Sequence, residues 1–218
     1  MNILALIPVK RNLHAKLRLR CLDNILNLQS YFQNKIDIRV DCRGPGDSFV
    51  SDFRGRERIA NLCAVRQGMI DDYLRKEHTH VLILDADAVY SSKEVARLIR
   101  TSQENPNDIV APSVLIEGDK KDRWYDIWGF IPEPPVKIRL MPPHFDVPDR
   151  LVPMQCVGVM YVVPSFLFRD GAKYYPVDGQ VDHYSVCKFA RDMGRRVLCD
   201  TRIVVRHPRL TRFGERRK

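Results

Sequence analysis

No run of this 218-residue chain reaches the ~18 consecutive apolar residues of a membrane-spanning helix. A helical membrane protein is therefore not expected. The opening stretch MNILALIPVKRN lacks the basic start and small-residue cleavage site of a secretory signal. It reads instead as a first strand, and a cytoplasmic protein is expected. The six cysteines, Cys21, Cys42, Cys63, Cys156, Cys187 and Cys199, form no C-x-x-C pair, and none stands at zinc-ligand spacing from a histidine. A chain this long does not need disulfide stapling, so reduced and mostly buried thiols are expected. No internal repeat is present, since the equal intervals from Cys21 to Cys42 to Cys63 are not matched by their neighbours. Acidic charge is also in short supply: 36 Lys and Arg stand against 27 Asp and Glu, a formal charge of +9. Such an excess suggests an anionic partner. It is concentrated in Lys10, Arg11, Lys16, Arg18 and Arg20, and again in Arg206, Arg209, Arg212, Arg216, Arg217 and Lys218.

The chain is 44% hydrophobic, enough for a sizeable core, and its length suits a single domain. The near-continuous apolar run ILALIPV at 3–9 predicts a buried strand. Leu17, Cys21, Ile25, Leu28 and Phe32 recur at helical spacing, and the alternating KIDIRVDC predicts a second strand. A loop follows at RGPGDSF. Ile59, Leu62, Cys63, Arg66, Ile70 and Tyr73, spaced by threes and fours, predict a helix over 56–77. HVLILDAD is a third strand. SSKEVARLIRTSQEN opens with a capping-box pattern, and DIVAPSVL is a fourth strand. The alternation β-α-β-α-β-α-β predicts a parallel sheet with helices on its faces, an α/β fold. Beyond residue 116 the texture changes. Residues 117–153 hold seven prolines and both tryptophans, and irregular structure with short strands is expected. MQCVGVMYVVPSFLF is strand-like, DHYSVCKFARDMG is helical with Gly194 as C-cap, and RRVLCDTRIVVRH supplies one or two closing strands.

The feature with chemical content is the end of the third strand, LILDADAV, with Asp85 and Asp87 separated by Ala86. In an extended segment these side chains point the same way. Two like charges held that close repel, and a hard divalent cation is the simplest remedy. A solvated strand-end turn is the plain alternative. In open α/β sheets, ligands bind beyond the carboxyl ends of the strands, which is where this pair falls.

Two enzyme classes place such a pair after a hydrophobic strand. LILDADAV formally meets the haloacid-dehalogenase-type phosphohydrolase pattern, in which Asp85 would be a nucleophile and Asp87 an acid/base. That motif normally opens its domain, however, whereas about eighty residues precede it here, and EGDKKD comes too early to supply its later elements. The order of motifs instead resembles GT-A-type nucleotide-sugar glycosyltransferases over most of the chain. ILALIPVKRN resembles their first strand and donor loop, with Pro8, Lys10 and Arg11; DIRVDC resembles the second strand, ending in Asp41; RERIANLCAVRQGM resembles the helix whose polar residues, here Arg58, Asn61 and Arg66, face the nucleotide. RWYDIWGF is similar to a segment of fungal Golgi and capsule mannosyltransferases, and VDHYSVCKFARDMG to the acidic helix region of the inverting family-two-like group.

The resemblance implies a GT-A-like fold, a mixed and mostly parallel sheet flanked by helices. Residues 1–116 would be the nucleotide-binding half, 117–207 the acceptor-side half and 208–218 a basic tail. It implies Mn²⁺ or Mg²⁺ and a nucleotide-diphosphate sugar as donor. Asp87 would be a metal ligand, Asp85 a contact to ribose, donor sugar or the metal, and His207, at the end of RIVVRH, a third ligand or else a plain surface histidine. Pro8, Lys10, Arg11, Asp41, Arg58 and Arg66 would line the donor site, with an exposed charge run as the alternative for Lys10 and Arg11. Tyr125, Asp126 and Trp128 would shape a sugar pocket or else fill the core. Asp182 and His183 stand at the catalytic motif, where His183 replaces the usual second acid. Asp182 is then the remaining candidate general base, or a helix N-cap. The acceptor would be a glycan or, given the basic charge, a modified base in DNA. A phosphohydrolase and a non-catalytic nucleic-acid-binding protein are the competing functions.

Overall fold

The structure, a computed structural model of the chain, describes residues 1–9, 15–33, 35–41, 56–125, 129–134 and 150–208. The elements are β1 (Ile3–Pro8), α1 (Ala15–Phe32), β2 (Ile36–Asp41), α2 (Arg56–Tyr73), β3 (His80–Leu84), α3 (Ser92–Glu104), β4 (Ile109–Ile116), β5 (Ile131–Pro132), β6 (Leu151–Cys156), β7 (Met160–Pro164), α4 (Ser165–Arg169), α5 (Tyr184–Asp192) and β8 (Val197–His207). One eight-stranded sheet orders them β2-β1-β3-β7-β4-β8-β6-β5.

The innermost strands are the most apolar. Every residue of β3 and β7 is buried, as are the first five of β1. Strands covered on both faces read as continuous hydrophobic runs, and these do. β6, near the sheet edge, alternates instead, with Val152, Met154 and Cys156 inward. α1 buries Cys21, Ile25 and Leu28, while α3 buries Val95, Leu98 and Ile99. The capping box of α3 forms as the sequence indicates: Glu94 N donates to Ser91 Oγ at 3.4 Å and Ser91 N donates to Glu94 Oε2 at 2.6 Å. α5 is followed by Gly194 at φ +71, the left-handed conformation that glycine adopts at little cost.

Three differences from the sequence reading bear on the site. First, within the mixed sheet that the resemblance implies, β7 inserts between β3 and β4, antiparallel to both. The βαβ alternation sets the direction of the first four strands but cannot reveal that a later strand separates the third from the fourth. Second, the run 154–168 is not one strand. It breaks at 157–159 and ends in α4. Third, β8 slips register against β4: Pro112 faces Asp200 but Ser113 faces Val204, leaving three extra residues on β8. Pro112 has no N–H to donate, and a bulge is where a proline inside a sheet is tolerated. Past the bulge the alternation is clean, with Ile203, Val205 and His207 buried and Val204 and Arg206 turned outward.

Candidate active site

β1, β2 and β3 are mutually parallel, so Pro8, Asp41 and Leu84 end at one edge of the sheet. At that edge the chain leaves β3 and turns. Ala88 N donates to Asp85 O at 3.1 Å, closing a turn over 85–88. Asp85 and Asp87 therefore do not lie in extended backbone, and the alternation argument for their shared direction fails. The turn brings them together by another route. Val89 and Arg206 exchange two backbone hydrogen bonds, Val89 N to Arg206 O at 2.7 Å and Arg206 N to Val89 O at 2.9 Å. These pin the loop after Asp87 to the last residues of β8, so the residue following Arg206 lies over the turn.

That residue is His207. Its Nε2 lies 2.9 Å from Asp87 Oδ1, and its Nδ1 lies 2.9 Å from the carbonyl oxygen of Pro208. Carbonyl and carboxylate oxygens only accept, so in this arrangement both ring nitrogens donate; when Nε2 gives up its proton, its lone pair faces the carboxylates while Nδ1–H stays on Pro208 O. Tyr125 stacks on the imidazole with ring centroids 3.7 Å apart and planes 19° from parallel. Burial works against a charged imidazolium here. The hydrogen bond and charge of Asp87 outweigh it, and the pKa of His207 lies above its ordinary 6.5. One ligand atom each from Asp85, Asp87 and His207 falls within 4.8 Å of the other two. Two half-buried carboxylates and an oriented imidazole are a donor set for a divalent cation, and the nitrogen suits Mn²⁺ better than Mg²⁺.

Asp85 also has a partner behind it. Arg66 Nη2 donates to Asp85 Oδ1 at 2.7 Å, and its Nη1 pairs with Asp182 Oδ2. Arg66 is only 4% exposed and therefore faces these two carboxylates rather than open solvent. Asp182 is likewise buried, in the turn before α5, and its carbonyl accepts from Cys63 Sγ at 3.5 Å. It does not cap α5, whose N-cap residue is His183, without a side-chain cap bond. The His183 ring is buried, with Nδ1 3.7 Å from Asp182 Oδ1.

Two residues that sequence reasoning missed shape this region. A Cβ on Gly158 would fall 2.6 Å from His183 Nε2, so that position admits no side chain without displacing the ring. Val159 has φ +63, rare and costly for a β-branched residue, and its carbonyl accepts from Asp85 N at 2.8 Å. Their signal is the glycine interrupting an apolar run, which marks a bulge or a close approach.

The remaining expected residues lie around this core. Asp41 accepts from Tyr73 Oη at 3.3 Å, and its carbonyl accepts from Val9 N at 2.8 Å; Pro8 faces Asp41 across the sheet. Arg58 and Asn61 lie half-buried in the first turns of α2. Lys10, Arg11, Asp126 and Trp128 lie outside the described residues. Cys21, Cys63, Cys156, Cys187 and Cys199 are buried and not in disulfides, and Cys42 lies outside the described residues. Among the described residues, no helix is long and apolar enough to cross a membrane.

No protein-family model and no curated protein sequence matches the chain. Solved structures do match. The S. aureus TarS fragment 1–349 aligns with a TM-score of 0.53 at 10% identity, covering 95% of this chain and 60% of that one. The same fragment in complex with UDP-GlcNAc gives 0.52 at 11% identity, covering 100% and 62%. GalNAc-T7 with UDP, GalNAc and Mn²⁺ gives 0.58 at 10% identity, covering 95% of this chain and 43% of that one. The fold is that of the GT-A glycosyltransferases. The chain spans less than two thirds of the length of these structures.

Proposed function

We propose that the chain is a metal-dependent glycosyltransferase that moves a hexosyl group from a nucleotide-diphosphate sugar to an acceptor hydroxyl. The observation that supports this most is the convergence of Asp85, Asp87 and His207 at the end of β3, in a fold shared with structures holding UDP-GlcNAc or UDP with Mn²⁺. Asp87 and His207 Nε2 are assigned as metal ligands, with Asp85 completing the set directly or through water. Bound there, a divalent cation would offset charge developing on the departing nucleoside diphosphate. Pro8 and Asp41, at the ends of β1 and β2, are assigned to the nucleoside, together with Arg58. Lys10 and Arg11 are assigned to the diphosphate. Tyr125 holds His207 in plane, and it shapes the sugar pocket with Asp126 and Trp128.

Asp182 and His183 form the acceptor-side pair. A general base is most effective with a pKa raised toward the working pH, whereas a guanidinium in contact favours the ionised carboxylate and makes it a weaker base. Asp182 is in that second situation, so its pairing with Arg66 favours a supporting role, and the base is assigned to the pair only as a unit. The acceptor is proposed to be a glycan hydroxyl or a modified base in DNA. Salt-sensitive DNA binding would select the second, since phosphate contacts release counterions. A phosphohydrolase using Asp85 as nucleophile is disfavoured because Asp85 is bonded to Arg66 from behind.

The test is thermal stabilisation by a panel of nucleotide sugars, with and without Mn²⁺. A true donor at ~100 times its dissociation constant should add about 2.7 kcal/mol. If no donor shifts the midpoint with Mn²⁺ present, the proposal is wrong.

A further inference from the structure

Among the described residues, Arg66 is the only buried lysine or arginine. Its own helix does nothing to neutralise it. The other buried residues of α2 are Ile59, Cys63, Val65, Met69 and Ile70, and none carries a carboxylate. A cation buried this way is tenable only with anions brought in from elsewhere. Two arrive, from segments far apart in sequence: Asp85 from the end of β3 and Asp182 from the turn before α5. The guanidinium uses different nitrogens for each, Nη2 for Asp85 and Nη1 for Asp182. A planar fork can do this, whereas an ammonium cannot. One positive charge is thus divided between a carboxylate at the cation site and a carboxylate that lies outside it. The acceptor-side loop is tied to α2 at further points, through Cys63 Sγ donating to Asp182 O at 3.5 Å and Tyr174 N donating to Gln67 Oε1 at 2.9 Å.

We infer that Arg66 is a positioning residue that couples the two sides of the cleft, so that Asp182 sets how strongly Asp85 attracts a cation. While Asp182 takes its share of the guanidinium, Asp85 keeps more of its negative charge for a metal. Without Asp182, the whole of Arg66 bears on Asp85 and screens it. Coupling is reciprocal. A cation on Asp85 therefore draws that carboxylate away from Arg66 and turns the guanidinium toward Asp182, tightening the turn before α5. The inference rests on reading Asp85, Asp87 and His207 as a metal site.

The experiment measures Mn²⁺ affinity by electron paramagnetic resonance on the full chain, with urea unfolding measured in parallel. Asp182→Asn should weaken Mn²⁺ binding about fivefold or more, the lower end of measured couplings between sites. Asp182→Glu, which keeps the charge, should restore it. A purely structural role for the pair would lower the urea midpoint and leave the Mn²⁺ affinity of the folded protein unchanged. That result would overturn the inference. A second readout needs no variant: Mn²⁺ added to the wild-type chain should slow amide exchange across residues 181–184, and unchanged exchange would overturn it equally. Asp87→Asn is the control for the metal reading. If the wild type takes up no Mn²⁺, or if Asp87→Asn leaves uptake intact, the metal site itself is wrong and the coupling falls with it. If the control behaves and Asp182→Asn has no effect, only the coupling falls.

Discussion

Asp85 and Asp87 are two residues apart, yet their surroundings differ in kind. Asp85 is backed by Arg66, a permanent cation that is buried and shared with Asp182. Asp87 is backed by His207, whose charge depends on pH and whose Nε2 can release its proton to take a metal. One carboxylate is held by a charge that cannot leave, the other by a charge that can. Like charges at a strand end can be neutralised by fixing them or by leaving them exchangeable. This turn does both: His207 can give up its proton to a ligand outright, whereas Asp85 would divide its charge between Arg66 and any cation it held.

The comparison predicts opposite consequences for the two halves. Arg66→Met should be the most damaging change. It strands two carboxylates, one of them buried, and removing one partner from a buried ion pair costs about 3–5 kcal/mol. Urea unfolding would read the loss directly. A cost near zero would mean that the fixed half holds nothing together. Asp87→Asn should do the reverse. It leaves His207 buried beside a neutral amide, but an imidazole, unlike a guanidinium, can shed its proton, so the cost should be near that of one hydrogen bond, about 1 kcal/mol. Mn²⁺ affinity should fall by more than the ~10–100-fold that losing a mere outer partner of a metal ligand costs. Calorimetric titration with Mn²⁺ would show whether the effects separate in this way.

How far this contrast can be read from the sequence depends on the range of each interaction. Local signals carry well. The capping box at Ser91 and Glu94, the glycine after α5 and the apolar strand ending in Asp85 all depend on residues close in the chain. Arg66 is partly legible too: it occupies a position in the apolar stripe of α2 between Cys63 and Ile70, and an arginine there must find acids. Which acids it finds depends on contacts 19 residues away for Asp85 and still farther for Asp182. Both sequence readings of Asp182, cap and base, pass over its partner. Asp85 and Asp87 do come within reach of one cation, but through a turn and not through the alternation of an extended strand. The position of His207 depends on the β8 bulge opposite Pro112 and on the Val89–Arg206 bridge. Neither has a local signature.

The exchangeable half should also show itself in pH dependence, through two effects of opposite sign. His207 has a folded pKa above its ordinary 6.5. Without metal, its pairing with Asp87 therefore contributes stability that is fully present below the unfolded pKa and lost as pH rises through the raised folded value. Metal binding requires the Nε2 proton to leave, so Mn²⁺ affinity should move the other way. Below the raised pKa it should fall about tenfold for each unit of acidification. Mn²⁺ titrations between about pH 8 and pH 6 would test this. A flat affinity across that interval would remove His207 from the ligand set and leave it as an ion-pair partner only.

The smallest expected effect concerns how well the exchangeable half is aimed. His207 is fixed at one edge by Pro208 O and on one face by Tyr125, 3.7 Å away. Tyr125 makes no bond to a metal in this account, so its contribution is orientation alone. Stacked rings contribute about 0.5–1.5 kcal/mol beyond the area they bury. Tyr125→Leu keeps an apolar cover but gives up the flat face, and Tyr125→Phe keeps the face and gives up the hydroxyl. If the stack aims Nε2, Tyr125→Leu should weaken Mn²⁺ by roughly two- to twelvefold, as that energy converts, while Tyr125→Phe should match the wild type. Should the two variants weaken Mn²⁺ equally, the hydroxyl would be the important group, and Tyr125 would belong with the donor contacts instead. Should neither change it, the hydrogen bond to Pro208 would be sufficient to orient the ring, and the exchangeable half would rest on Asp87 and His207 without outside support.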